Sequence, residues 1–543
     1  MQMTRVLSTF LISLSPFLIL LVLLFESGHG QIIKLSNSNR KFLSFLNVRY
    51  AQPITAHFQD PVPLAAEPIQ FYNGTDLPVC VQIDPISDPE KVIGQQDCLF
   101  LNIYTHQTNG SVPVMLWIHG GGWNFGSGNE EYFGPGALMD EDIVLVTINY
   151  RIGPLGFASL EDEILPGNYG LKDQAEAIKW VHKNIHNFGG DPQMITLFGQ
   201  SVGAASVLYH MKGKLAERIR GGIAQSGSSL SPWAKGPPGA VRRMTLRLAE
   251  NAGCKQTTTK EIADCLRLLA PEKLVEASKR FTLIEQYLLP FRPVMEKSGM
   301  VTEDPWDTPP SNLPLMTGFT SAEAAFIAAL LTKEGGFIVR FINAAFDAVI
   351  PEILMYQETA PNPTEITAAI KKFYLRNESI TLENLSPLIN MMSDSYIVYP
   401  TYAEAQKHNG TLYTYLFNHK GEVSVAEILG TPVDLGVSHG DDIPYLFNTR
   451  KLDLRKTGND NDKRKSKEMI KMWTNFAKGL DPLEGITNEH DWESTSKNGG
   501  YLQIDTDKYT LNNPKKGDHR TWLEQRLEFW NSLPYRLKNE FLD

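Results

Sequence analysis

One stretch of this sequence predicts a strand, a tight turn and a helix in succession: Met194-Ile195-Thr196-Leu197-Phe198-Gly199-Gln200-Ser201-Val202-Gly203-Ala204-Ala205. The mostly apolar residues 194–198 predict a buried strand, and residues 204–211 predict the start of a helix. Between them, 199–203 fits the pattern Gly-x-Ser-x-Gly, in which a serine occupies a tight strand-to-helix turn. Glycine at both ends removes side chains that would collide with neighbouring elements. The pattern alone arises by chance, but this context makes Ser201 a candidate nucleophile.

Composition bounds the classes of protein to which the chain can belong. It has 543 residues, of which 42% are hydrophobic and 21% charged, so it is globular with a substantial core. The formal net charge of −10 argues against nucleic acid as a partner, because phosphate binding needs a basic surface. The sequence has no metal-ligand spacing, so neither a metal nor a cofactor is predicted.

The N-terminal residues 1–30 have the pattern of a secretory signal. Arg5 precedes an apolar core from Phe17 to Phe25, and the small-residue end Gly28-His29-Gly30 predicts cleavage near Gln31. An uncleaved signal anchor is the alternative, but Ser13, Ser15 and Pro16 interrupt the longer apolar run that it would need. We therefore predict a secreted protein with no membrane association after cleavage, whose residues 31–543 form one domain.

Cysteines and glycosylation sequons are compatible with that compartment. Four cysteines allow three pairings, of which proximity in the sequence favours Cys80 with Cys98 and Cys254 with Cys265. Asn-x-Ser/Thr sequons are found at Asn73, Asn109, Asn377, Asn384 and Asn409. They permit secretion but do not demonstrate it.

An apolar strand over 113–118 leads into His119-Gly120-Gly121-Gly122. Three glycines allow bare backbone to approach a substrate and direct N–H groups at it, so this loop is a candidate for part of an oxyanion hole that the N–H after the serine, that of Val202, would complete. A flexible glycine turn is the alternative, and it is less favoured beside Ser201.

The remaining pattern alternates strands and helices. A buried strand over 143–148 precedes an amphipathic helix over 168–187, and a glycine turn then leads into the strand before Ser201. This alternation predicts an α/β fold with a largely parallel sheet. Residues 240–290 are helical in pattern and predict an inserted cap, whereas the charged run 451–467 is interpreted as a solvated loop.

A nucleophilic serine needs a base and an acid that orients the base. Glu323 is the acid at the end of the segment 313–323, an apolar strand that ends in a glycine turn, although a helix N-terminal glutamate stabilised by the dipole is an equal alternative from this segment alone. His439 stands in a glycine-flanked loop after the strand 412–417 and is the favoured base. The sequence predicts polar, exposed surroundings for three of the other downstream histidines and a turn for the fourth: His408, His490 and His519, and His419.

Together these motifs resemble the carboxylesterase/cholinesterase family of α/β-hydrolases over about residues 42–530. The resemblance rests on the elbow 199–203, the loop 119–122 and further segments: Asp97–Asn102, Asn168–Gln174, Phe188–Pro192, Gly318–Glu323 and Gly436–Gly440. It implies a large, mostly parallel central sheet flanked by helices, with helical cap insertions. It also implies a Ser201–Glu323–His439 triad, an oxyanion hole from Gly121, Gly122 and Val202, and the nearest-neighbour disulfides.

Within that family, Gln200 before the nucleophile looks like the secreted insect esterases of the juvenile hormone esterase type. A cholinesterase is unlike this chain, because residues 80–98 lack the tryptophan that stacks on choline. The resemblance places Leu288, Leu289, Pro290, Phe291 and Ile327 near the acyl group, which predicts an uncharged apolar ester such as a hormone, xenobiotic or odorant ester. The alternatives are a catalytically idle adhesion or binding protein on the same fold and a scavenger with slow deacylation.

Overall fold

The computed structural model describes residues 31–534 apart from 66–67, 73–77, 84–87, 89, 282–288, 333–335, 377, 432, 450–452, 488–491, 493, 496–499 and 514–520. The predicted signal segment, two of the sequons and three other residues of interest lie outside the described residues: 1–30, Asn73, Asn377, Leu288, His490 and His519.

The described strands form one large sheet and one small hairpin. The strands are β1 (Gln31–Leu35), β2 (Lys41–Arg49), β3 (Gln82–Ile83), β4 (Val92–Ile93), β5 (Phe100–Thr105), β6 (Val112–Ile118), β7 (Val144–Ile148), β8 (Gly190–Gln200), β9 (Gly221–Gln225), β10 (Leu315–Thr320), β11 (Leu412–Phe417), β12 (Tyr501–Ile504) and β13 (Tyr509–Asn512). The large sheet has the order β1-β2-β5-β7-β6-β8-β9-β10-β11-β12-β13, and β3 pairs with β4.

The centre of the large sheet is parallel from β7 to β12, and its two edges are antiparallel. The predicted α/β-hydrolase architecture, a large, mostly parallel sheet flanked by helices, is therefore confirmed. Every residue of β7, β9 and β10 is buried, as expected for parallel strands covered on both faces.

The described α-helices lie between the strands and after the last one. They are α1 (Glu130–Phe133), α2 (Gly153–Phe157), α3 (Tyr169–Asn184), α4 (Val202–Lys212), α5 (Ala240–Ala252), α6 (Thr259–Leu268), α7 (Pro271–Ser278), α8 (Ala325–Leu331), α9 (Phe337–Ala344), α10 (Phe346–Ile353), α11 (Pro363–Ile370), α12 (Ser386–Ser393), α13 (Tyr399–Lys407), α14 (Val425–Ile428), α15 (Leu454–Thr457), α16 (Asp460–Lys478) and α17 (Trp522–Ser532). In the described part of the chain, no helix combines the length and the apolar character needed to cross a membrane.

The core lies on both faces of the sheet. Strand β6 shows the alternation: Val114, Leu116 and Ile118 pack in one cluster with α3 and α4, while Met115 and Trp117 pack in the other with α16. A third cluster holds helices α8 to α13 together beside the sheet. The alternation along β6 thus places successive side chains in the core clusters on opposite faces of the sheet.

The structure forms both disulfides that the resemblance implies. Cys80 is joined to Cys98, and Cys254, just after α5, is joined to Cys265 on α6. Helices α5 to α7 account for the helical pattern after residue 240, and the second disulfide ties the first two of them together.

Two interpretations from the sequence were wrong. The run 451–467 is not a simple solvated loop, because α16 begins inside it, capped by Asn459, whose side chain accepts from the Asp462 N–H while the Asp462 side chain accepts from the Asn459 N–H. His408 is not exposed: only 6% of its surface is accessible. In each case polar residues lie against a core that the local sequence does not reveal.

Candidate active site

Ser201 lies between β8 and α4, where strand and helix meet in a single residue. Its backbone has φ +61° and ψ −125°, a conformation that costs energy for a residue with a side chain. Its N–H donates to the Gln225 carbonyl oxygen at 2.9 Å, which ties the turn to the neighbouring strand β9. A Cβ on Gly199 would lie 2.6 Å from the Gly203 carbonyl oxygen, so the turn closes only with glycine there. The strained turn predicted from the sequence is the one observed.

Glu323 and His439 meet side chain to side chain. His439 Nδ1 lies 2.6 Å from Glu323 Oε2, and the His439 N–H donates to the Glu323 carbonyl oxygen at 3.2 Å. Glu323 is fully buried, and its second oxygen accepts from the Thr320 N–H at 2.7 Å. The carboxylate therefore holds a proton on Nδ1 and leaves Nε2 as the basic nitrogen of a neutral ring.

The basic nitrogen of His439 faces the residue before Ser201. Gln200 Nε2 lies 2.9 Å from His439 Nε2, and among the described residues no hydrogen bond joins Ser201 Oγ to His439. The Phe326 ring stacks on His439, with centroids 5.4 Å apart and planes at 27°. The structure thus brings Glu323 to His439 directly, and brings Gln200, the neighbour of Ser201, to the opposite side of the ring.

The glycine loop packs directly against the turn that carries Ser201. A Cβ on Gly120 would lie 2.8 Å from the Gln200 carbonyl oxygen and 3.2 Å from Ser201 Cβ. Gly121 and Gly122 have φ values of +100° and +61°, which favour glycine. Within the described part of the chain, no acceptor is paired with the N–H of Gly121, Gly122 or Val202. These N–H groups are available to an incoming oxygen.

His119 fastens that loop. Its Nδ1 donates to the Gly120 carbonyl oxygen at 2.8 Å, its ring stacks on Tyr150 at 4.3 Å, and the Tyr150 hydroxyl donates to its carbonyl oxygen at 2.8 Å. Burial lowers the pKa of His119 to about 4, because charging the ring would require desolvation without a carboxylate partner. His119 is thus a neutral support of the loop.

Two carboxyl groups behind His439 were missed by the sequence reasoning. Asp441 accepts from Ser424 Oγ at 2.8 Å and from the Ser438 N–H at 2.7 Å. Asp442 accepts from Gln225 Nε2 at 2.7 Å, and the Trp473 indole N–H fixes the Gln225 amide by donating to its Oε1 at 2.9 Å. Burial raises the pKa of each carboxyl to about 6. The signal that was overlooked is their position directly after His439-Gly440.

The remaining predicted sites are distributed over the surface and the interior. The three described sequons are exposed: Asn109, Asn384 and Asn409. Leu289 lies beside the glycine loop, since a Cβ on Gly122 would lie 2.9 Å from Leu289 Cδ2. Among the described residues, no group of three or more His, Cys, Asp or Glu side chains is placed to hold a metal ion.

Comparisons with known proteins show the family to which the chain is similar. The family model of the carboxylesterase family matches residues 28–522. The chain is 35% identical to a juvenile hormone esterase of Tribolium castaneum, covering 82% of this chain and 81% of that one. It is 32% identical to a carboxylic ester hydrolase of Bombus ignitus, covering 92% of each. The crystal structure of juvenile hormone esterase from Manduca sexta, with OTFP covalently attached, superposes with a TM-score of 0.80 at 28% identity, covering 92% of this chain and 97% of that one.

Proposed function

The chain belongs to the carboxylesterase family and is a carboxylic ester hydrolase, and we propose that it is a secreted serine esterase that cleaves an uncharged apolar ester through an acyl-enzyme. One observation supports the mechanism above all: the 2.6 Å contact between Glu323 and His439 stands beside the strained turn that carries Ser201. Acyl transfer by a serine needs this order of acid, base and nucleophile.

In the proposed reaction, Ser201 Oγ attacks the ester carbonyl carbon while His439 Nε2 takes the hydroxyl proton. Glu323 stabilises the imidazolium that forms, and the N–H groups of Gly121, Gly122 and Val202 hold the negative oxygen of the tetrahedral intermediate. Such a donor is worth about 3 kcal/mol in the transition state. His439 then returns the proton to the departing alcohol, and water releases the acyl group by the same steps.

The surroundings of the proposed site favour an apolar ester. Leu289 borders Gly122, the Phe326 ring covers one face of His439, and Phe291 and Ile327 are buried side chains of the same two segments. Apolar walls favour an uncharged substrate, because a charged group there would lose its hydration. Juvenile hormone, a xenobiotic ester and an odorant ester all have this chemistry, and the names of the insect relatives support testing the hormone first.

The proposed extracellular location has independent support. The structure contains two disulfides, which persist in oxidising compartments, and three described sequons are exposed. Positions 119, 201 and 323 follow the carboxyl ends of the parallel strands β6, β8 and β10, and His439 contacts Glu323, which supports one domain rather than several. The proposed partner is a small-molecule ester, and the net charge of −10 argues against nucleic acid.

The first experiment measures hydrolysis of 4-nitrophenyl acetate by the recombinant protein and by Ser201→Ala. Turnover in the parent that collapses in the variant, together with organophosphate labelling of Ser201 detected by mass spectrometry, is the expected result. A label on another serine would reject Ser201, and no turnover from folded parent would favour the binding protein. A burst without turnover would indicate a scavenger. A substrate series that begins with juvenile hormone then defines the acyl and alcohol groups accepted.

A further inference from the structure

We propose that Gln200 is a positioning residue that occupies the basic nitrogen of His439 in the resting enzyme and has to leave it before Ser201 is deprotonated. This inference rests on the proposed function, in which Ser201 is the nucleophile and His439 the base. It assigns to Gln200 a part in the reaction that is separate from the triad.

A neutral imidazole has one nitrogen that donates a hydrogen bond and one that accepts. Glu323 Oε2, 2.6 Å from Nδ1, requires the proton there, which leaves a single lone pair on Nε2. Among the described residues, the Gln200 carboxamide is the group within hydrogen-bonding distance of Nε2, at 2.9 Å, so its N–H donates to that lone pair. One lone pair in the ring plane accepts one good hydrogen bond. Ser201 Oγ, which has no hydrogen bond to His439, is thereby kept from its base.

The carboxamide lies in a recess built from glycines. A Cβ on Gly120 would lie 2.9 Å from Gln200 Oε1, and a Cβ on Gly440 would lie 3.8 Å from Gln200 Nε2. Gln200 therefore bridges the loop that offers the oxyanion N–H groups and the loop that carries His439. Because Gly121 follows directly, an ester carbonyl that reaches those N–H groups enters the space next to this carboxamide. Substrate binding and release of His439 are thus coupled in space.

The exchange conserves protons, and one hydrogen bond replaces another on the Nε2 lone pair. The Gln200 N–H leaves Nε2, and the Ser201 O–H replaces it on the same lone pair. The proton then passes from Oγ to Nε2 as the bond from Oγ to the carbonyl carbon forms and the carbonyl electron pair moves to oxygen. Gln200 remains neutral throughout.

The neutrality of Gln200 has a consequence for the pH dependence of the base. Among the described residues, the Glu323 carboxylate contacts His439 at Nδ1 and the Asp442 carboxyl interacts with His439 electrostatically, whereas Gln200 adds no charge at Nε2. A carboxylate at position 200 would stabilise the imidazolium by adding a negative charge within hydrogen-bonding distance of Nε2. The acid limb of the activity profile would then move to higher pH.

Two variants of the full-length protein test this role. Gln200→Met has a similar length and no N–H group, and Gln200→Glu introduces the carboxylate. Gln193→Met, an exposed position on the same strand β8, is the matched control. The measurements are the rate of inactivation by diethyl 4-nitrophenyl phosphate and the pH profile of kcat/KM for 4-nitrophenyl acetate. We expect inactivation at least threefold faster in Gln200→Met, an acid limb at least half a pH unit higher in Gln200→Glu, and parental behaviour in Gln193→Met.

An unchanged or slower inactivation rate in folded Gln200→Met overturns the proposal, and so does an acid limb that stays in place in Gln200→Glu. Each variant is sufficient if the other fails to fold, as judged by its thermal melting curve. Failure of the proposed function itself gives a different result: the parent is then not labelled on Ser201, or Ser201→Ala keeps its activity.

Discussion

The backbone of Gly203 lies against the carbonyl group of Ile118, so closely that a Cβ on Gly203 would stand 2.1 Å from the Ile118 oxygen. Ile118 ends β6 and precedes the glycine loop, whereas Gly203 lies in the first turn of α4, after Ser201. The absence of one side chain therefore sets the separation between the proposed nucleophile and the proposed oxyanion hole.

This contact predicts the effect of Gly203→Ala. The methyl group forces α4 away from β6, so we expect kcat/KM for 4-nitrophenyl acetate to fall by about tenfold or more, and the free energy of unfolding to fall by about 1–3 kcal/mol, as for other overpacked interiors. Ala205→Gly in the same helix is the control, because it costs about 1 kcal/mol of helix propensity without displacing the loop. Full activity in Gly203→Ala would contradict this view of the turn.

Glu323→Gln isolates the charge of the proposed acid. The amide retains the shape of the carboxylate and can still accept from the Thr320 N–H, but it neither stabilises the imidazolium nor enforces the correct tautomer. We expect kcat to fall by about 10³- to 10⁴-fold with little change in KM, the size found when a triad acid is replaced by its amide. Steady-state kinetics beside Glu427→Gln, an exposed glutamate paired with Lys420, give the comparison. An equal decrease in kcat in Glu323→Gln and Glu427→Gln would show that Glu323 is not the acid of the mechanism.

His119→Phe distinguishes the two histidines near the site. Phenylalanine can still stack on Tyr150 but cannot donate to the Gly120 carbonyl oxygen, so the loop loses its support and kcat falls by about tenfold or more. Since burial lowers the pKa of His119 to about 4, this residue stays neutral where the enzyme works, and the acid limb of the pH profile should keep its position. Disappearance of that limb in His119→Phe would identify His119, and not His439, as the titrating base.

Asp442→Asn tests the buried carboxyl behind His439. Burial raises its pKa from 3.8 to about 6, with Glu323 raising it further and Gln225 and His439 opposing the shift. The folded state therefore binds this proton more tightly than the unfolded chain, so the stability of the parent falls as pH rises from about 4 to 6 and stays lower above that range. The two-unit shift corresponds to about 3 kcal/mol.

Asparagine does not titrate, so Asp442→Asn does not lose stability through this side chain as the pH rises. Melting curves of the parent and Asp442→Asn between pH 4 and pH 7 should show the parent losing stability relative to the variant by up to about 3 kcal/mol, mostly below pH 6.5. Curves that stay parallel over the whole range would show that Asp442 ionises freely in the folded protein.

Features of this protein that depend on local pattern follow from its sequence. The apolar runs before Ser201 and His119 identify parallel strands, because strands buried on both faces carry few polar residues. The glycines around Ser201 identify a turn that only glycine can close. Chain order then points to Glu323 and His439, since the carboxyl ends of parallel strands meet at one edge of the sheet.

The side chains that meet across that edge are known only from the folded chain. The capping pair of Asn459 and Asp462 was present in the sequence, yet only the packing of Met469 and Trp473 on the sheet shows why a helix begins within a charged run. The contacts from Gln200 to His439 and from Asp442 through Gln225 to Trp473 join residues more than 200 positions apart. Such contacts depend on strand register and on side-chain rotamers, which are set by the packing of the whole core and not by any local pattern.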